Sequence, residues 1–416
     1  MSSATDEAAT SALPLIISVD DHVLEPPTLW TDRLPAAHLD HGPRVVRERA
    51  EVVFDTTTGK GRIANRGAAD GVWCDWWLYE DLEIALNLQV ASAGIENVDR
   101  RPVTYDDVRP GCWQQAARLA DMDRNHVEAS ECFPNVVPRF CGQTFLEAKD
   151  RELGLLCVRA YNDWILEEWA GGAGRGRLIP VTLVPLWDAD LAAQEVRRCA
   201  ALGGHAVSFS ENPSELGLPS LHDADRYWDP FLQACAETES IINIHIGSSS
   251  KVPNTSSDAP QVLGACLWFT NTAGALADLL VSGTFLRFPT LKVALAEGQV
   301  GWIPYLLQRL DHVWRDRDSS SSIGMQLPEA PSSYVAGHVF GCIFDDAFGL
   351  ANRAAIGMDQ IMFETDYPHN DGTFPRSAEV AQAMCDGAGL DDDERYRLLR
   401  GNAIAAFGLH RDGVSA

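Results

Sequence analysis

Short apolar runs of strand length recur along the chain, and longer segments with helical spacing separate them, an alternation that predicts a parallel α/β sheet. The runs fall at 15–20, 128–133, 178–184, 205–209, 241–246, 291–296, 335–343 and 360–365. About eight strands is the number of a (β/α)8 TIM barrel, whose chemistry sits on the loops that follow the strands. The clearest helix is 303–315, where Ile303, Leu306, Leu307, Leu310, Val313 and Trp314 share one face and Pro304 suits the first turn. Another is predicted at 272–282, ending at Gly283, where glycine can take the left-handed conformation that closes a helix.

One barrel domain is expected over residues 15–410, preceded by a disordered tail at 1–14. The interval 41–110 is too long for one crossover helix: a polar, turn-rich stretch at 55–66 precedes the aromatic cluster Trp73, Trp76, Trp77 and Tyr79. It predicts an inserted flap or small antiparallel subdomain after strand one. Residues 247–260 read as a loop at the barrel mouth.

Composition narrows the partners. The chain has 416 residues, 46% hydrophobic and 22% charged, enough to bury a large core. Its 33 Lys and Arg against 59 Asp and Glu leave a net charge of -26, which disfavours nucleic acid and anionic lipid surfaces. The ten cysteines show no C-x-x-C spacing, which fits a reducing cytoplasm, and the acidic N-terminus resembles neither a signal peptide nor a membrane anchor.

Candidate chemistry gathers at strand ends. Strand one ends Ser18-Val19-Asp20-Asp21-His22, where alternation points Asp20 and His22 the same way, and Glu25 begins the following loop. Strand five carries His245, and strand eight runs into Phe363-Glu364-Thr365-Asp366-Tyr367-Pro368-His369. Each segment alone also reads as a hydrogen-bonded strand end or a satisfied core histidine. In a barrel, however, the three ends converge on one mouth, and imidazole with carboxylate suits zinc, iron or manganese. Glu297, ending strand six, reads as a ligand, a general base or a helix N-terminal acid, whereas Glu211 has the weaker case and fits a turn. Phe133, Asn135 and Arg139 follow strand two as pocket wall. Arg139 can receive a substrate carboxylate by a two-point contact or form a structural ion pair; Trp76 and Trp77 can cap the pocket or pack the insertion. There is no G-x-S-x-G nucleophile elbow and no dinucleotide fingerprint.

The segments Ser18-Val19-Asp20-Asp21-His22, His245-Ile246-Gly247-Ser248-Ser249, the stretch from Ala296 to Pro304, and Glu364-Thr365-Asp366-Tyr367-Pro368-His369 resemble the amidohydrolase-2 family over roughly residues 15 to 410. That resemblance implies a distorted (β/α)8 barrel, like those of aminocarboxymuconate-semialdehyde, resorcylate and carboxyvanillate decarboxylases. Its metal would lie between strands one, five and eight, with Asp20, His22, His245 and Asp366 as ligands. The chain departs from the family at Glu297, where the decarboxylases and hydrolases usually have histidine.

With Glu25, Glu297 and His369 added, the set resembles that of the dinuclear oxygenase branch of the superfamily. The expectation is therefore two Fe, or Fe with Mn, held by Asp20, His22, Glu25, His245, Glu297, Asp366 and His369, with Glu297 and His369 also catalytic. Such a monooxygenase would use dioxygen and an external reductase to hydroxylate an unactivated carbon of an apolar carboxylic acid. The alternative is a hydrolase or non-oxidative decarboxylase with one Zn or Mn, in which Glu297 handles the proton. In either case the substrate is a small-molecule carboxylate, and a homodimer is expected because barrels of this type often pair.

Overall fold

The computed structural model describes residues 13–54, 61–316 and 327–415. The tail expected at 1–14 therefore lies outside the described residues except for Leu13 and Pro14, as do positions 55–60 of the polar stretch.

Strand β1 (Ile16–Val23) leads into a separate antiparallel sheet of β2 (Arg44–Phe54), β3 (Gly61–Ala64), β4 (Val72–Tyr79) and β5 (Leu82–Ala85), in the order β3-β2-β4-β5. The chain then returns to the parallel sheet with β6 (Val127–Pro134), β7 (Leu178–Thr182), β8 (Ala206–Phe209), β9 (Ile241–His245), β10 (Val293–Ala296), β11 (Val339–Ile343) and β12 (Ile361–Phe363). The sheet order is β1-β6-β7-β8-β9-β10-β11-β12, eight parallel strands in chain order. Backbone bonds just beyond β12 close the ring: Asp366 N donates to the Asp20 carbonyl (2.9 Å) and His22 N to the Tyr367 carbonyl (2.6 Å). The predicted barrel is thus observed.

Its interior is a layer of small and branched side chains, including Ile17, Val19, Ala129, Val181, Ala206 and Ala294, continuous with Ala403, Ile404 and Phe407 of the C-terminal helix Asn402–Phe407. Lys292, just before β10, donates to the Ala405 carbonyl (2.7 Å), which places that helix at the N-terminal end of the barrel. The opposite end is left for chemistry.

The helix at Ile303–Arg315 has the predicted bounds; the other runs Phe269–Val281, and Gly283 follows at φ 71. Strand β11 begins later than its apolar run, because Pro331–Tyr334 forms a 3-10 turn. The Asp311 carboxylate anchors that turn through Ser332 N (3.0 Å) and Oγ (2.7 Å).

A bulge between Ser18 and Asp21 interrupts the β1–β6 register, and neighbouring acids face opposite ways there. Asp21 ties three strand ends together: its Oδ1 accepts from Ser18 Oγ (3.0 Å), Thr365 Oγ1 (2.6 Å) and Tyr367 N (2.9 Å), and its Oδ2 from Ser130 Oγ. Buried Arg118 props the same corner, donating to the Gly111 carbonyl (2.9 Å) and the His22 carbonyl, with its guanidinium 4.1 Å over the Tyr367 ring. Asp20 and His22 are held from behind.

Candidate metal centre and active site

Four side chains from β1, β9 and the end of β12 meet at the mouth. His22 Nε2 lies 3.5 Å from Asp20 Oδ1, 3.6 Å from Asp366 Oδ1 and 3.2 Å from His245 Nε2, while His245 Nε2 is 3.6 Å from Asp20 Oδ2. All four residues are buried.

The hydrogen bonds on the far side of each ring decide which atoms face the centre. His22 Nδ1 donates to the Pro134 carbonyl (3.3 Å) and His245 Nδ1 to the Ile246 carbonyl (2.6 Å). A carbonyl only accepts, so in each neutral ring the Nε2 carries a lone pair. Two lone pairs 3.2 Å apart repel unless a cation lies between them. Nitrogens each about 2.0–2.1 Å from one octahedral or tetrahedral ion stand roughly 2.8–3.4 Å apart. Both oxygens of Asp20, and Asp366 Oδ2, have no hydrogen-bond partner despite full burial. Burying such oxygens is costly without a cation, and the donor set therefore fits a divalent metal.

Burial pulls His22 well below the ordinary histidine range, reinforced by His369 and His245, and brings His245 down to about 3. Both rings are thereby kept neutral, as metal binding requires. Burial also raises the Asp20 carboxyl well above its usual range, with Glu364, Glu297 and Asp366 adding like charge. A bound cation would relieve this repulsion.

Glu297 stands beside the centre, Oε2 3.5 Å from His245 Nε2. Its backbone is left-handed at φ 58, and that of Asp366 at φ 49, conformations that cost a non-glycine residue about 1–3 kcal/mol when the surroundings enforce them. Buried Glu364 helps hold the first: its Oε2 accepts from Glu297 N (3.1 Å) and from Cys342 Sγ (2.5 Å). Glu364 lies two residues before Asp366, so strand alternation alone puts it on the same face, a role not among those expected from the sequence. Nor was Phe140, whose ring stacks on His245 at 4.1 Å and 10°; no periodic signal marks that contact.

Several expected site residues are engaged elsewhere. Glu25 faces the loop after β6, its carboxylate accepting from the backbone of Asn135 (2.8 Å), Val136 (3.1 Å) and Val137 (3.4 Å), so it is a loop anchor and not a ligand. Trp76 packs with Ala50 and Cys74 inside the inserted sheet, and Trp77 meets Trp30 edge-on and donates to Tyr105 Oη (3.2 Å); neither lines the cavity. Arg139 is paired with Glu147 (3.2 Å) and Ser250 Oγ (2.6 Å), the structural alternative. Phe133 lies behind the histidines, its ring 5.2 Å from that of His245. Glu211 fixes a turn, accepting from Gly247 N (3.1 Å), Ser249 N (3.2 Å) and Ser249 Oγ (2.6 Å).

His369 is bracketed by two acceptors, with Nδ1 2.8 Å from Asp366 Oδ1 and Nε2 3.3 Å from Asn135 Oδ1. Asn135 is oriented by donating its Nδ2 to the Val90 carbonyl (2.7 Å). Glu25 is thus removed from the expected iron ligands, whereas His369 stays beside the centre, its ligand atom within 4.8 Å of those of His22 and Asp366.

The centre opens into a cavity of about 710 Å³ whose walls include Asn135, Phe140, Trp268, Glu297 and His369. Arg100, which no motif in the sequence marks, is the one Lys or Arg among its lining residues. It sits on the segment after the inserted sheet, a cover fastened over the mouth by Ser92 N donating to the Pro368 carbonyl (2.9 Å). Helical turns within 261–281 form another wall; by length and composition alone this run is apolar enough to cross a membrane.

The sequence profile described as amidohydrolase matches residues 60–409. The chain belongs to the amidohydrolase family. A curated relative of this amidohydrolase is the gamma-resorcylate decarboxylase of Rhodococcus jostii, 25% identical over 322 residues, covering 71% of this chain and 88% of the relative. Among solved structures, an amidohydrolase of Mycobacterium avium subsp. paratuberculosis superposes with a TM-score of 0.67 at 22% identity, over 95% of this chain and 99% of that one. A dihydroxybenzoic acid decarboxylase of Polaromonas sp., solved with manganese and the inhibitor 2-nitroresorcinol, gives a TM-score of 0.56 at 23% identity, over 74% and 91%. The Rhodococcus and Polaromonas proteins are decarboxylases, which overturns the oxygenase expectation, and the dioxygen, external reductase and paired iron expected with that reading lose their support.

Proposed function

We propose that this amidohydrolase removes carbon dioxide from an aromatic or conjugated carboxylic acid without oxidation, using one divalent ion, manganese or zinc, at Asp20, His22, His245 and Asp366. The observation that carries the reading is the facing pair of imidazole lone pairs beside unpartnered Asp20, opening into a cavity walled by two proton-handling groups, Glu297 and His369. The decarboxylase relatives support it.

When bound, the ion supplies Lewis-acid polarisation of substrate oxygens. Arg100 receives an anionic oxygen of the substrate: its Nε is held by Gln89 Oε1 (2.7 Å), and its terminal nitrogens have no protein acceptor among the described residues. Phe140 and Trp268 offer flat apolar faces that orient the ring and exclude water. As the bond to the carboxyl carbon breaks, its electron pair stays on the ring carbon and carbon dioxide leaves. Glu297 Oε or His369 Nε2 delivers the proton that replaces it.

The test is anaerobic turnover of the metal-loaded protein on a panel of hydroxylated benzoic acids in heavy water. Stoichiometric carbon dioxide release with one deuterium on the product ring is expected. Turnover that requires dioxygen, or hydrolysis without carbon dioxide, would overturn the proposal.

A further inference from the structure

A second cavity, about 840 Å³, lies beside the first at the same end of the barrel. It is bounded by the loops that follow β11 and β12, the short helix Ala347–Ala351 and the helix Ser377–Gly387. Phe344, Ala347, Phe374, Val380, Ala383 and Met384 give it an apolar side, and Asp345, Arg353, Asp371 and Arg376 stand on its polar side. Nothing in the chemistry described above uses it.

Two observations join it to the metal centre. Phe344 and Asp371 line both cavities. Gly372, another lining residue, is pressed against the segment after β12 that carries Asp366: a Cβ there would stand 2.5 Å from the Asp366 carbonyl oxygen and 2.8 Å from that of Thr365. The wall between the second cavity and the Asp366 backbone is therefore one backbone layer thick, and the exposed Asp371 stands where the two spaces meet. At the outer wall, Arg353 is committed to Glu394 (2.6 and 2.9 Å), whereas Arg376 makes no side-chain hydrogen bond or ion pair among the described residues.

We propose that the second cavity is an extension of the substrate site and takes the apolar body of an acid whose carboxylate lies at the metal centre. The inference rests on the carboxylate-binding reading above and narrows its substrate class from a single-ring acid to an amphipathic one that spans both spaces. Each space alone is within the range of about 300–1,000 Å³ that encloses a drug-sized ligand. A one-ring acid leaves the second space to water, whose displacement from the apolar side, at Phe344, Phe374, Val380 and Met384, favours a longer ligand.

Calorimetric titration of the manganese-loaded protein with straight-chain monocarboxylates from butanoate to tetradecanoate tests this. Ala383 is exposed on its helix, so Ala383→Trp can fill the second cavity without disturbing the core or the metal ligands. In the unchanged protein Kd should fall by about fourfold per methylene well beyond the shortest acids. In Ala383→Trp, butanoate should bind as before while the gain with length stops early. Identical length dependence in the two proteins, or a gain that ends at short acids in the unchanged protein, would overturn the second cavity alone. Failure of butanoate to bind the metal-loaded protein would overturn the carboxylate reading and this inference with it.

Discussion

His22 and His245 present their Nε2 atoms to each other at 3.2 Å because a backbone carbonyl behind each ring takes its Nδ1 proton. The pair is therefore set for a shared cation before any cation arrives. Replacing either histidine with alanine should weaken metal binding by more than about 100-fold, since loss of a mere supporting contact behind a ligand already costs 10–100-fold. Competition with a chromogenic chelator reads this directly. Affinity within a few-fold of the parent in both variants would remove these rings from the ligand set.

Glu297→Gln should separate proton handling from metal holding. The amide keeps the shape and one acceptor, so metal content stays near that of the parent, while kcat falls by about 10²–10⁴, the usual contribution of a positioned acid or base. Loss of metal in parallel with activity would make Glu297 a ligand.

Arg100→Ala removes the one Lys or Arg from the lining of the first cavity. A lost charge-assisted hydrogen bond of about 1.5–3 kcal/mol predicts a KM raised by roughly 10- to 150-fold with little change in kcat. An unchanged KM across acidic substrates would show that Arg100 meets no anionic oxygen of the substrate.

The barrel was legible because strands buried on both faces read as apolar runs, and all eight emerge near their predicted places. Asp20, His22, His245 and Asp366 were legible as a group because strand ends distant in sequence meet at one mouth. Glu25 misled because closeness to His22 in sequence says nothing of the three backbone N–H groups at Asn135, Val136 and Val137, which fold against it and take its carboxylate. Trp76 and Trp77 misled because an aromatic cluster serves a small antiparallel core as well as a pocket. Two irons were expected because donors were counted by type, and Glu25, one of those donors, spends its carboxylate on backbone N–H groups.

Glu25 also gives a pH signature. Burial raises its carboxyl from 4.5 to about 7, so between those values the folded chain holds a proton that the unfolded chain has released. Stability from this group is fully present below pH 4.5 and lost as pH rises through 7. Glu25→Gln cannot lose that proton. Relative to the variant, the unchanged protein should therefore lose up to about 3 kcal/mol between pH 4.5 and 8, read by urea unfolding of chelator-treated protein. A pH-independent difference between the two would contradict the assignment.

The central claim is one divalent ion held between β1, β9 and the end of β12. Elemental analysis of anaerobically purified protein, expressed with manganese, zinc and iron all supplied, tests it most directly when run beside the double variant His22→Ala, His245→Ala. The account predicts about one manganese or zinc per chain in the parent and close to none in the variant. Two irons per chain, or metal retained by the variant, would contradict it.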